Sequence, residues 1–156
     1  MKLPCILALL LAGVRGFGGD FQPRIDLAGI TLEQADASEV RTGKEAIPRK
    51  SVALSLGEKT PVHWTLAYTG AKDLTNILVH FYVVKVDRPG RPAVRETKPS
   101  AILVENAMSL DLHAKDDAKG EIDLVFRAPG IYLLRLEALS GEESMVSATL
   151  DLEVRP

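Results

Sequence analysis

Four side chains in the second half of the chain are of types that bind metal ions and would come together if two neighbouring segments paired. Asp111 and His113 alternate with apolar residues in one segment, and Glu121 and Asp123 do so in the next. If these segments form a hairpin, Asp111 lies opposite Asp123 and His113 lies opposite Glu121. Opposed carboxylates repel unless a cation lies between them, and carboxylate oxygens are ligands of calcium. The pattern therefore predicts a candidate site for calcium or another divalent ion.

The same residues are also compatible with a solvated acidic surface. Asp116 and Asp117 add further oxygens at the turn of the expected hairpin, and Lys115 and Lys119 bring positive charge to the same turn. The spacing matches no established ion-binding loop. We favour the solvated surface and keep the ion site as the alternative.

The sequence contains no recognisable pattern of catalytic groups. Nucleophilic catalysis needs an activated Ser, Cys or Thr beside a base that a third group orients. The histidines His63, His80 and His113 fall in three different predicted strands, no serine lies in a nucleophile elbow, and the glycines occupy turns. We expect His63 and His113 at the surface and His80 half-buried. The sequence thus predicts a protein that is not an enzyme and needs no cofactor.

Methionine and histidine together could form a copper site, since they supply soft and imidazole ligands. Met108 falls on the inner face of its predicted strand, however, and His113 falls on the outer face. One strand cannot aim both side chains at a single ion. We therefore expect Met108 and Met145 to pack in the core.

The elements that position these residues have the pattern of short β-strands. From about Ser51 onwards, apolar and β-branched segments are separated by Gly, Pro, Asp and Lys clusters, which is typical of all-β sandwiches. Residues 62–69 alternate with period two, and residues 77–86 are apolar on both faces, as expected of a central strand. Residues 87–100 contain several prolines and are predicted to form a long loop.

Two strand pairs are expected towards the C terminus. The first joins residues 108–112 to residues 122–126, because this register brings every apolar partner to the same face. Its expected partners are Leu112 and Ile122, Leu110 and Leu124, and Met108 and Phe126. The second joins residues 131–138 to residues 146–154. Alternation in the last strand predicts that one set points inward and the other outward, namely Val146, Ala148, Leu150, Leu152 and Val154 against Ser147, Thr149, Asp151, Glu153 and Arg155.

The first 18 residues have the format of a secretory signal. A basic residue, Lys2, precedes an apolar run that is shorter than the roughly 20 residues a membrane span requires. Small residues allow cleavage after Gly16 or after Gly18, and we favour Gly18. The only cysteine, Cys5, leaves with this segment, so no disulfide is expected in the mature chain. We predict a secreted or periplasmic protein whose mature chain has no membrane span.

The mature chain is mildly acidic. Removing Lys2 and Arg15 leaves 17 basic residues against 21 acidic ones, a net charge of −4. Nucleic-acid binding calls for a concentrated basic patch, so we expect no nucleic-acid partner.

Residues 19–50 are predicted to form an N-terminal extension. Within it, residues 24–34 could be an edge strand that bears apolar residues at alternate positions. Residues 31–34 could instead open a short helix through a capping box. We favour the strand. Residues 51–156 are then the β-sandwich domain.

The segment Ala128-Pro129-Gly130-Ile131-Tyr132 resembles the penultimate strand of immunoglobulin-like, fibronectin-type and PKD-like sandwiches. In those folds a tyrosine close behind a turn glycine bonds back to upstream backbone. The resemblance implies that Tyr132 takes this role. It also implies a single immunoglobulin-like antiparallel β-sandwich of about seven to eight strands.

Taken together, these features predict an exported, non-enzymatic binding or accessory structural module. Its expected partner is a protein or a glycan of unknown identity. The alternative from the sequence is an exported metal-binding or carrier protein that uses Asp111, His113, Glu121 and Asp123 or the other histidines. Fold alone does not distinguish these functions.

Overall fold

A computed structural model describes residues 20–33, 49–90, 102–141 and 143–156. Within these ranges the chain forms nine strands and no α-helix, so no described segment is a helix that could cross a membrane. The strands are β1 Phe21–Leu27, β2 Ile30–Leu32, β3 Ser51–Ser55, β4 Lys59–Tyr68, β5 Leu74–Val86, β6 Ile102–Leu112, β7 Asp117–Val125, β8 Gly130–Ser140 and β9 Glu143–Arg155. The predicted signal segment and most of the predicted loop at 87–100 lie outside the described residues.

The strands form two packed sheets. One has four strands in the order β2-β1-β4-β7, and the other has five in the order β3-β9-β8-β5-β6. The immunoglobulin-like β-sandwich is confirmed, with nine described strands rather than seven to eight. Wholly antiparallel pairing is wrong in one place, because β3 pairs with β9 in parallel.

The N-terminal segment belongs to the sandwich. β1 and β2 form a hairpin whose turn residues, Ala28 and Gly29, both have positive φ, as a two-residue hairpin loop requires. The expected strand is therefore two strands, and β2 rather than β1 lies at the sheet edge. Three β1 side chains are buried in the common core, namely Phe21, Ile25 and Leu27. Residues 21–32, which we assigned to an extension, thus form part of the β-sandwich.

The β8–β9 hairpin confirms the local prediction. Leu134 pairs with Leu150 and Leu136 pairs with Ala148, and all four side chains are buried. The Tyr132 corner is also present: the ring is 2% exposed, and the hydroxyl donates to the carbonyl of Ala128 at 2.7 Å.

A second tyrosine makes a similar bond that the sequence analysis missed. Tyr68 is buried at the end of β4, and its hydroxyl donates to the carbonyl of Lys72 at 2.7 Å. Gly70 lies so close to this ring that any Cβ there would overlap it. The glycine is therefore required by the packing of the ring.

The predicted hairpin between residues 108–112 and 122–126 is wrong. β6 pairs with β5, and β7 pairs with β4 in the other sheet. Met108 and Ile122 both pack against the core, as expected, but they do so from opposite sheets. Period two identifies the inner face of a strand without identifying its sheet, so the apolar pattern could not exclude this arrangement.

Candidate functional site

The four predicted metal ligands do not converge. Asp111 is the penultimate residue of β6 in the five-stranded sheet and accepts a hydrogen bond from the backbone N–H of Asn76 at 2.8 Å. His113 follows, with Nδ1 3.3 Å from an Asp73 carboxylate oxygen. Hydrogen bonds from the Ala114 N–H and from His113 lower the pKa of Asp73.

The other two residues lie on the outer face of the four-stranded sheet. Glu121 is opposite His63 in β4, with 3.6 Å between the carboxylate and Nδ1, and Asp123 contacts the Lys59 ammonium at 2.8 Å. The predicted pairings of Asp111 with Asp123 and of His113 with Glu121 are wrong. Across the described ranges, no group of three or more His, Cys, Asp or Glu side chains is placed to hold a metal.

A different polar group lies on the outer face of the five-stranded sheet. We call it the His80 cluster, and its members are His80, Tyr82, Glu105, Arg135 and Glu137. His80 Nε2 lies 2.7 Å from Glu105 Oε1 in β6, and Nδ1 lies 3.3 Å from Glu137 Oε1 in β8. The Arg135 Nε donates to the other oxygen of Glu137 at 2.9 Å, and the Tyr82 ring lies against the imidazole. The cluster therefore connects three adjacent strands.

The electrostatics of this cluster favour a protonated histidine. Hydrogen bonds to Glu137 and Glu105 raise the pKa of His80, although burial acts in the opposite direction. Burial alone would raise the pKa of Glu137, but contacts with His80 and Arg135 outweigh it and lower that pKa. As an imidazolium, His80 donates from both nitrogens. It then has no lone pair with which to accept a proton or bind a metal.

Sequence analysis predicted the half-buried position of His80 but not its partners. A sequence clue was present in β8, where Arg135 and Glu137 alternate with leucines in an otherwise apolar strand. Charged residues there are 5% and 7% exposed, so they require partners on neighbouring strands.

A buried ion pair lies further along the same outer face. Asp151 in β9 is 3.3 Å from the Arg49 guanidinium, and the two side chains are 3% and 1% exposed. The backbone N–H of Gly90 donates to the second carboxylate oxygen of Asp151 at 2.7 Å. Ser147 and Thr149 on this face are buried as well. The prediction that these β9 residues point away from the core holds, but they are covered instead of facing solvent.

The five-stranded sheet has an open edge at β6, where the only neighbour among the described strands is β5. We call residues 104–110 the β6 edge. Val104, Met108 and Leu110 pack against the core from this edge yet remain partly exposed. Ala107 on the opposite face is exposed. One side of β6 is thus paired with β5, and the other side is an accessible edge along which partly exposed apolar side chains lie.

No protein-family model matches the chain, and no curated protein matches it. Solved structures do. The CARDB domain of PF1109 from Pyrococcus furiosus, in solution, has a TM-score of 0.50 at 11% identity over 86% of this chain and 94% of that one. A crystal structure of the same domain in complex with di-metal ions has a TM-score of 0.49 at 10% identity, covering 87% and 90%. The C-terminal domain of wzt has 0.46 at 12% identity, covering 86% and 71%. At 11% identity, the likeness to the first of these structures shows the β-sandwich fold alone.

Proposed function

We propose that this chain is an exported, non-enzymatic β-sandwich that binds a protein partner through the β6 edge. One contrast carries the proposal. In the His80 cluster, His80, Glu105 and Glu137 already bond to other members of the cluster, whereas the adjacent β6 edge has β5 as its only neighbour among the described strands. Carboxylates and an imidazole that are already paired with one another have little left for chemistry, while an edge strand has backbone groups to offer a partner.

The geometry gives no support to a catalytic role. A general base needs an accessible lone pair close to a substrate proton. Both ring nitrogens of His80 already face carboxylates, and His63 and His113 each face a single acidic side chain at the surface. The alternative of a metal carrier loses the shared site on which it depended, since Asp111 and Asp123 belong to different sheets.

An edge strand favours a polypeptide over a glycan as partner. An added strand bonds to the backbone N–H and C=O groups of the edge, and its side chains alternate between the two faces. The β6 edge suits this mode because its partly exposed residues, Val104, Met108 and Leu110, lie on one face. The partner we propose is therefore an extended segment of a protein.

Export is supported by the basic residue and short apolar run at the start of the sequence. Intact-mass measurement on protein collected outside the cytoplasm should show a chain that begins after residue 16 or residue 18. A mature species that retains residues 1–11 would contradict export by this route.

Site-specific photocrosslinking in the producing cells tests the binding surface. A photoreactive amino acid placed at Ala107 on β6 should give protein adducts. The same amino acid at Ala53, which is exposed on β3 at the opposite edge of the same sheet, should give none. Absence of adducts at Ala107, or equal adducts at both positions, would refute the assignment. Wild type and Ala107→Lys should also be probed in parallel on a glycan array. Equal binding of one glycan by both proteins would likewise refute the assignment.

A further inference from the structure

The β6 edge is a regular strand over seven residues. Each residue from 104 to 110 pairs with β5 in one unbroken register, from Val104 with Val83 to Leu110 with Ile77. The register shifts on both sides of this stretch. Residues 104–110 therefore present a straight, uniformly alternating edge to any added strand.

This seven-residue sequence is complementary to itself when reversed. In an antiparallel pair centred on Ala107, Val104 lies opposite Leu110 and Asn106 lies opposite Met108 on the inner face. On the outer face, the single charge of the stretch, Glu105, lies opposite the neutral Ser109. No like charges oppose each other, and the smallest side chains meet at the centre.

The two neighbouring antiparallel registers bring less favourable residues opposite each other than the register centred on Ala107. A pair centred on Met108 places Glu105 opposite Asp111, and like charges directly opposite one another destabilise a strand pair. A pair centred on Asn106 leaves Ser109 and Leu110 without partners inside the regular stretch. The sequence thus favours one symmetric register over those on either side.

Self-pairing would also cover the inner face of β6. Among the described strands, the four-stranded sheet is one strand narrower than the five-stranded sheet, and the inner residues of β6 remain partly exposed. Two copies joined edge to edge would place Val104, Met108 and Leu110 of each copy beside those of the other. This contact buries apolar surface that a single copy leaves in water.

We propose that the partner at the β6 edge is a second copy of this chain, which pairs antiparallel through residues 104–110 about a two-fold axis at Ala107. The two five-stranded sheets then form one continuous ten-stranded sheet with an isologous interface. This inference rests on the proposed function, because it names the occupant of the edge to which that function assigns binding.

Covalent capture in the full chain, in a Cys5→Ser background, tests the register. Opposed Cβ atoms of an antiparallel pair lie about 4.5–5.5 Å apart, so Ala107→Cys should form an intermolecular disulfide under mild oxidation. Two copies of Ser109 would be roughly 13 Å apart along the strands. Ser109→Cys should therefore stay monomeric on denaturing gels, and so should Ala53→Cys on β3.

Sedimentation velocity over a concentration series tests the assembly without cysteine. Wild type should sediment as a dimer. Ala107→Lys places two ammonium groups opposite each other at the two-fold axis, so this variant should sediment as a monomer. It should still show the thermal unfolding transition of a folded chain. The control Ala53→Lys should remain a dimer. A wild-type monomer at every concentration, a dimer unaffected by Ala107→Lys, or equal disulfide formation at Ser109 and Ala107 would each overturn the proposal.

These outcomes are separable from failure of the proposed function. A monomer whose Ala107 position crosslinks to a different protein in cells refutes the self-pairing and leaves binding at the β6 edge intact. A monomer with no adduct at Ala107 refutes both.

Discussion

The two outer faces of this sandwich carry similar residue types in different surroundings. On the four-stranded sheet, the Lys59–Asp123 ion pair and the His63–Glu121 contact lie largely in solvent. On the five-stranded sheet, Arg49–Asp151 and Arg135–Glu137 are almost completely buried. Exposed pairs contribute little because water and salt screen them, while a buried carboxylate depends on its partners. The difference shows that an outward position on a strand does not determine its energetic importance.

The largest effect is expected at the Asp151 carboxylate. Asp151→Ala removes the group that the Arg49 guanidinium and the Gly90 N–H both contact. Breaking a buried pair by removing one partner costs about 3–5 kcal/mol. Urea denaturation at pH 7 should show a loss of this size in the free energy of unfolding. Asp151→Asn, which keeps an acceptor for Gly90, should lose less, and an equal loss in both variants would argue against a role for that backbone bond.

A smaller effect is expected from the Tyr132 hydroxyl. Its hydrogen bond is neutral, so it can be compared with the buried ion pair of Asp151 and the exposed ion pair of Asp123. Tyr132→Phe keeps the ring in place against Phe126 but deletes the bond to Ala128. One buried neutral hydrogen bond contributes about 1 kcal/mol. Denaturation should show this loss with an unchanged far-ultraviolet dichroism spectrum. An unchanged stability would mean that the corner contributes nothing to this fold.

The His80 cluster should make stability depend on pH in a defined direction. The raised pKa of His80 means that the folded state favours the protonated imidazole. The stabilisation that His80 contributes to folding is therefore fully present below its pKa in the unfolded chain, about 6.5. It is lost as the pH rises through the folded pKa. The free energy of unfolding should therefore fall more between pH 6 and pH 9 in wild type than in His80→Gln. Parallel pH profiles for the two proteins would show that the imidazolium contributes nothing.

Local features of the fold were predictable from sequence, and long-range ones were not. The pairing of β8 with β9 and the Tyr132 corner depend on residues close in the chain, so alternation and one turn motif identified them. The partners of Asp151 lie 102 and 61 residues away, and Glu137 lies 57 residues from His80. Period two predicted which side of β9 faces the core, but not that Arg49 and Gly90 lie over its other side.

The misplaced β6–β7 hairpin has the same physical origin. Met108 and Ile122 had to point inward, and they do, but either sheet could supply the inner face. The short connection at 113–116 was compatible with a hairpin and with a crossing between sheets. What decided the matter is the pairing of each strand with β5 or β4, which no local pattern reveals. The candidate metal site failed with the hairpin because its geometry was derived from that register.

The smallest effect is expected at Asp123, and it provides the sharpest control for the comparison. Asp123 bonds to the Lys59 ammonium at 2.8 Å, a shorter distance than the one joining Asp151 to Arg49. If distance alone set the energy, Asp123→Ala would be the more damaging substitution. Both partners are largely exposed, however, so screening and side-chain entropy cancel most of the attraction.

We therefore expect Asp123→Ala to shift the urea midpoint by no more than the error of the measurement, against a large shift for Asp151→Ala. Repeating both titrations in high and low salt separates the causes. Added salt screens exposed charges more strongly than buried ones. Any residual effect of Asp123→Ala should therefore vanish at high salt, while that of Asp151→Ala should persist. A salt-resistant loss at Asp123 comparable to that at Asp151 would show that the two outer faces are energetically equivalent, and that burial does not govern their charged pairs.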